Sequence, residues 1–142
     1  MAIISRKPRS ASLRFQTFLD SSDITQTTPE KSLTIGLRKK GGRNAYGRIT
    51  MRHQGGGARQ KYRIIDFRRS ERDVEGVVTT VEYDPNRNVR IGLVVYKNGA
   101  KRYILLPTEI GVGSVVSAGV NVEPKNGNSL PLQAIPVGCF VS

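Results

Sequence analysis

Tryptophan is absent from this 142-residue chain, aromatic residues make up 6% of it, and Cys139 is its single cysteine. Each shortage closes off a class of protein. One cysteine excludes an internal disulfide framework and any cysteine-rich zinc site, and it agrees with a reducing compartment. No apolar run approaches the roughly 20 residues that a bilayer span needs, so no membrane partner is assigned. With no Trp, four Phe and five Tyr, several of them at strand positions, few rings remain for an exposed ladder that stacks on single strands. His53 is the lone histidine and lacks the acidic or thiol companions of a metal centre or a catalytic dyad. No metal ligand, cofactor or catalytic residue is therefore assigned, and the chain reads as a non-enzyme.

Acid is scarce as well, with 11 Asp and Glu against 23 Lys and Arg, a formal charge of +12 and a sequence pI near 10.5. The imbalance is local. From Arg38 to Arg72, twelve basic residues meet two acidic ones, so this stretch carries +10 of the +12. Like charges at this density repel unless an external anion neutralises them, and interleaved glycines let the backbone approach a partner that a Cβ would hold away. A nucleic-acid backbone meets both conditions. The candidate RNA-binding residues are Arg38, Lys39, Lys40, Arg43, Asn44, Arg48, Arg52, His53, Gly55, Gly56, Gly57, Arg59, Lys61, Arg63, Arg68, Arg69 and Arg72, with Arg87 from a later turn. Asp66 and Glu71 are expected to be local ion-pair partners of the neighbouring arginines, too few to balance them. Tyr46 either stacks on a base or sits in the core, whereas Tyr62 is expected in the core.

Gly42 and Gly47 have the spacing of a phosphate-binding loop, yet Arg48 and Ile49 stand where the lysine and hydroxyl of that loop belong, and no apolar strand precedes Gly42. Nucleotide hydrolysis is excluded on that chemistry. A glycine run such as Gly55–Gly57 is often a flexible linker. Here Arg52, Arg59 and Lys61 flank it, which allows backbone N–H groups and guanidinium forks to converge on phosphate oxygens.

The chain divides into an irregular basic and polar extension (1–37), a Gly/Arg-rich RNA-binding segment (38–61), a barrel (62–138) and a short end (139–142). Within the extension, Asp20 to Lys31 reads as a linker, and the first nineteen residues have the composition of a transit peptide or of a basic arm lying along RNA. Strands are expected at 62–67, 77–83, 89–96 and 102–106, with a short strand in 113–119 and an edge strand in 130–137. Alternation would place Val77, Thr79, Val81 and Tyr83 on one face, and Val89, Ile91, Leu93 and Val95 on another. Asp84 to Asn88 is turn chemistry, and Asn98-Gly99 is a two-residue hairpin signal. Five to six short strands without helical periodicity indicate an all-β protein, a small oligonucleotide-binding (OB-like) barrel with an irregular basic amino-terminal extension.

Several ordered motifs then become specific: Gly41-Gly42-Arg43-Asn44 followed by Gly47-Arg48-Ile49-Thr50, Arg52-His53 with Gly55-Gly56-Gly57, Tyr62-Arg63 with Ile65-Asp66-Phe67, Glu82 to Arg87, Arg102 to Leu105 with Pro107, and Ile135 to Gly138. In that order they resemble the large-subunit ribosomal protein two family over about residues 38–138, with weaker similarity from Lys7 to Arg14. The resemblance implies a structural constituent of the large ribosomal subunit whose amino-terminal barrel binds large-subunit rRNA and supports subunit assembly and association, beside neighbouring ribosomal proteins. The family continues into a second barrel and a basic tail not found in these 142 residues, which implies either a split gene with a separate chain carrying that half, favouring a mitochondrial or other organellar ribosome over a bacterial one, or a fragment of a longer protein. The alternative is a free-standing OB-type protein that binds single strands.

Overall fold

The structure, a computed structural model, describes residues 3–139 and Val141. Among these residues it contains β1 (Ile3–Ser5), β2 (Thr17–Leu19), β3 (Thr34–Gly36), β4 (Lys61–Arg63), β5 (Gly76–Glu82), β6 (Ile91–Tyr96), β7 (Lys101–Leu105) and β8 (Val115–Val116), three one-turn 3-10 segments and no α-helix. The β-branched runs from Gly76 onward build a four-stranded antiparallel sheet in the order β7-β6-β5-β8. β3 and β4 form a separate antiparallel pair, and Ile65 just beyond β4 bridges Tyr103 of β7, with the Asp66 N–H donating to the Tyr103 carbonyl at 2.8 Å. The result is a curled, OB-like all-β fold.

The alternation expected for the central strands is altered by one inserted residue. Register shifts between Val78 and Thr80 opposite β6, so Thr79 is the extra residue of a β-bulge and the inward face changes parity. Val78 and Val81 point inward, while Val77, Thr79 and Tyr83 are exposed; of the four residues expected on one face, Val81 alone is buried. β6 is covered on both sides. Val94 and Tyr96 pack with Val78, Ile104 and Val116, and Ile91 and Leu93 pack with Ile65 and Tyr103, so the half-buried strand expected from period two is a fully enclosed one. Val89 lies outside it and is exposed.

Three further expectations change. The 1–37 extension is not simply irregular: β1 pairs with β2, and β3 pairs with β4. Asp20 to Lys31 is a strap docked on the sheet. Thr25 N–H donates to the Val81 carbonyl at 3.0 Å, the Val81 N–H returns to Thr25 Oγ1 at 2.9 Å, and Arg90 donates to Asp23 (3.0 and 3.1 Å) and to the Asp20 carbonyl (2.7 Å). Its polar residues resemble linker chemistry in the sequence because their partners lie more than fifty positions away. Residues 130–137 hold a 3-10 turn (Leu132–Ala134) in place of an edge strand, since Pro131 and Pro136 remove ladder donors. Of the short end 139–142, residues 140 and 142 lie outside the described residues.

The strap ends on a buried polar relay. The Tyr103 hydroxyl accepts the Glu30 N–H and donates to Glu82 Oε2, both at 2.8 Å, and Thr80 Oγ1 donates to Glu82 Oε1 at 3.1 Å. Burial is the largest influence on Glu82 and raises its pKa above the ordinary carboxyl value, against hydrogen bonds and Arg63 that act to lower it. Burial likewise pushes the Tyr103 hydroxyl above the usual phenol range.

The β6-β7 turn is a three-residue loop, not the two-residue one expected. Tyr96 N–H donates to the Ala100 carbonyl and Gly99 N–H to the Tyr96 carbonyl, both at 2.9 Å, leaving Lys97, Asn98 and Gly99 outside the ladder. Gly99 alone of these has positive φ, +82°, which is a type I turn closed by a left-handed residue. Nothing lies within 4 Å of a Cβ added at Gly99, so the cost of replacing it is in the backbone. Gly99→Val should destabilise the chain by about 1–2 kcal/mol in urea unfolding, with Gly99→Asn much milder; equal losses for the two would contradict this turn. For Glu82 the raised pKa means that the native state binds more protons than the unfolded state between the ordinary and raised values, so stability falls as pH rises through that window. Glu82→Gln should remove this decline, its stability relative to the native chain growing with pH; a pH-independent difference would show that Glu82 does not titrate there.

Candidate nucleic-acid interface

Residues Leu37 to Gln60 form one long loop between β3 and β4, and every basic side chain in it is exposed. No Asp or Glu occurs between Glu30 and Asp66, so cohesion in this loop has to come from neutral groups. The Gly42 carbonyl accepts the N–H groups of Thr50 (2.9 Å) and Met51 (3.2 Å), and Arg43 bridges Ile49 in antiparallel fashion. A Cβ on Gly42 would fall well inside contact distance of the Met51 carbonyl oxygen, so this position is closed to any larger residue. Asn44 ties the tip: its Oδ1 accepts both the Tyr46 and the Arg48 N–H at 3.0 Å. Lys39 is turned inward, donating from Nζ to the carbonyls of Gly56 (2.8 Å) and Ala58 (3.0 Å). Gly55, Gly56 and Gly57 all have positive φ, as does His53, and no heavy atom lies within 4 Å of a Cβ added at Gly56.

The structure thus brings Arg38, Lys39, Lys40, Arg43, Asn44, Arg48, Arg52, His53, Gly55, Gly56, Gly57 and Arg59 into one loop, with Lys61 at its base. Among the described residues, none of its cations takes part in an ion pair. The other candidates fare differently. Arg68 and Arg72 are exposed and outside the ion pairs. Arg69 is half-buried and donates to the Gly127 carbonyl at 3.2 Å. Arg63 does not face solvent: it is 8% exposed, donates Nη1 to the Lys61 carbonyl at 2.9 Å, and lies where its charge favours the buried Glu82 carboxylate. Arg87 is engaged by Asp84 and by the Tyr62 hydroxyl at 3.1 Å, and lies 5.2 Å from the Tyr62 ring centroid.

The two acids expected to pair with the arginine cluster do something else. Asp66 accepts from Ser70 N–H (2.9 Å) and Oγ (3.1 Å), and Glu71 pairs with Arg102 (3.1 Å) and accepts from Asn98 Nδ2 (2.9 Å). Among the described residues Arg68 and Arg72 are therefore left without a carboxylate, a stronger excess of charge than composition alone indicates. Tyr46 is 90% exposed, which removes the core alternative for it, and Tyr62 is half-buried. Sequence reasoning missed the inward turn of Lys39, since nothing local distinguishes it from Lys40.

A curled half-barrel sheet carrying a folded, acid-free cationic loop defines a polyanion-binding module of the OB-like class. The chain belongs to the family described as ribosomal proteins L2, RNA-binding N-terminal domain, whose sequence profile matches residues 30–118. It is accordingly a ribosomal protein that binds rRNA. The match begins within the strap at Glu30 and includes the whole loop; it closes at Ala118, short of the position near 138 to which the motif resemblance extends.

Closure of the loop at Gly42 has a measurable consequence. Gly42→Ala should expose the Thr50 and Met51 amides to fast hydrogen exchange and weaken rRNA binding, whereas Gly56→Asn, which tolerates positive φ and meets open space, should leave both amides protected. Normal protection in Gly42→Ala would show that the close approach is not required.

Proposed function

We propose that this chain is a non-catalytic structural constituent of the large ribosomal subunit that holds large-subunit rRNA through the Leu37–Gln60 loop and so supports subunit assembly and association beside neighbouring ribosomal proteins. The observation that carries the reading is the set of exposed cations without an acid partner, Arg38, Lys40, Arg43, Arg48, Arg52 and Arg59, on a loop shaped by neutral hydrogen bonds within the matched family span. In this reading Lys39, Asn44 and Gly55 to Gly57 shape the loop, and Lys61, His53, Arg68 and Arg72 extend the contact. Arg63, Arg69 and Arg87 support the barrel beneath it. The 62–138 segment is the platform, with the strap as part of it.

Phosphate contacts of this kind release counterions, so binding weakens with salt by about 0.7–0.9 in logarithmic slope per contact. Replacing Arg43, Arg48, Arg52 and Arg59 together by Gln should weaken binding to large-subunit rRNA and reduce the salt slope by about three to four. An unchanged slope would remove the loop from the interface. A free-standing single-strand binder would instead prefer unstructured RNA to folded large-subunit rRNA in direct competition.

A further inference from the structure

The Leu37–Gln60 loop repeats, in solvent, the turn that joins β6 to β7. In both, an N–H donates to the carbonyl four residues on (Asn44 to Arg48, 3.0 Å; Tyr96 to Ala100, 2.9 Å), and a glycine N–H returns to the first carbonyl (Gly47 to Asn44, 3.1 Å; Gly99 to Tyr96, 2.9 Å). Both glycines are left-handed, φ +79° and +82°. The two residues before the glycine are Lys97 and Asn98 in one turn, polar groups suited to a turn in water. In the other they are Ala45 and Tyr46.

Nothing in this turn geometry calls for an aromatic residue, and the ring does not help to build the fold, since Tyr46 is 90% exposed. Its backbone, in contrast, is fixed. The Tyr46 and Arg48 N–H groups share Asn44 Oδ1 at 3.0 Å, and the isolated Arg43-Ile49 bridge closes the loop below. The tip therefore presents a phenol ring in water, with Arg43 and Arg48 on either side in sequence and no acid nearer in the chain than Glu30 or Asp66. A partner that satisfies this arrangement is a polyanion that also offers flat apolar faces. A phosphate chain bearing nucleobases is such a partner. Paired bases have their faces covered by their neighbours, and the deep major groove of an A-form helix does not admit side chains, which leaves an unpaired base in a loop or bulge.

We propose that Tyr46 is a base-stacking residue: its ring lies on an unpaired nucleobase of the large-subunit rRNA while Arg43 and Arg48 hold the adjoining phosphates. The inference rests on the reading of this chain as a large-subunit rRNA-binding protein. Asn44 is the positioning residue, because its side-chain oxygen fixes the turn that aims the ring.

The test measures binding of the full chain and its Tyr46→Ala and Tyr46→Phe variants to purified large-subunit rRNA across a salt series. Base stacking on an aromatic side chain accounts for a loss of about five-fold or more when the ring is removed, and stacking involves no counterion release. Tyr46→Ala should therefore lower affinity about five-fold or more with an unchanged salt slope, and Tyr46→Phe should bind within about two-fold of the native chain. Chemical probing should show one unpaired nucleotide that is protected by the native chain and by Tyr46→Phe and is reactive with Tyr46→Ala. A smaller loss for Tyr46→Ala, a loss of the same size for Tyr46→Phe, or a changed slope in Tyr46→Ala would each overturn the stacking assignment, the first outcome being the one expected if the ring meets a protein neighbour instead. If the native chain itself binds this rRNA without steep salt dependence, the functional reading falls and the stacking assignment with it; native binding with silent Tyr46 variants removes the stacking assignment alone.

Discussion

A loop that must keep its shape while carrying cations and no carboxylate is the constraint on which the rest of this molecule depends. Exposed charges within a Debye length of about 10 Å repel one another at moderate salt, and ion pairing within the loop would quench the cations needed for a partner. The loop resolves the conflict by folding on neutral acceptors: the Gly42 carbonyl, the Asn44 side-chain oxygen, and the carbonyls of Gly56 and Ala58 that receive Lys39. Lys39 is given to structure, and Arg43 donates one Nη to the Gly41 carbonyl at 3.0 Å, while the other cations of the loop keep their charged groups toward solvent. The shape of the loop then rests mainly on neutral acceptors, which leaves most of its charge facing outward.

The barrel completes this separation by keeping its acids to itself. Asp23 pairs with Arg90, Glu30 with Lys101, Glu71 with Arg102, Glu75 with Lys97, Asp84 with Arg87 and Glu123 with Lys125. The pairs exposed on both sides, Glu75 with Lys97 and Glu123 with Lys125, add little stability, so their effect is better understood as electrostatic housekeeping. Each carboxylate held beside a local cation is one that does not weaken the positive field of the loop. The Asp23 carboxyl, hydrogen-bonded by Arg90, and the Glu30 carboxyl, hydrogen-bonded by Lys101, are both held below the usual carboxylate range and stay charged in these pairs.

The sequence made the sheet legible because β-branched runs, turn residues and their spacing are local signals; β5 to β8 and the turn at Asp84 to Asn88 follow from them. The Asp84 side chain does accept the Asn86 N–H at 2.9 Å, as that turn chemistry requires. The strand faces were less legible. A single bulge at Thr79 reverses alternation, and no residue type announces it. The enclosure of β6 on both sides depends on Ile65 and Tyr103, 38 positions apart in the chain, meeting in space, which periodicity within one strand cannot show. For the candidate site, charge density marks a stretch of sequence whose first part the structure holds in one exposed loop. What charge counting could not do was sort its members: Arg63 and Arg68 are five positions apart in the same basic run, and one is buried while the other is exposed. The polar strap was misread for the complementary reason, since polar residues that satisfy a distant sheet edge look like those that face water.

The bulge, the strap and the loop form one mechanical sequence. The bulge at Thr79 changes which side of β5 faces inward, and beyond it both backbone groups of Val81 are taken up by Thr25 of the strap. From there the strap reaches Glu30, whose N–H is held by the buried Tyr103 hydroxyl, and then Leu33, which packs against the second core and accepts the Ile64 N–H at 3.0 Å. β3 begins at the next residue, Thr34, and its antiparallel register with β4 sets the spacing from which the cationic loop is hung. A peripheral polar segment therefore fixes the base of the loop through hydrogen bonds and ion pairs to the sheet. The family span opens at Glu30, the residue at which the strap is tied to Tyr103, so the matched region is the part of the chain that both suspends and contains the loop.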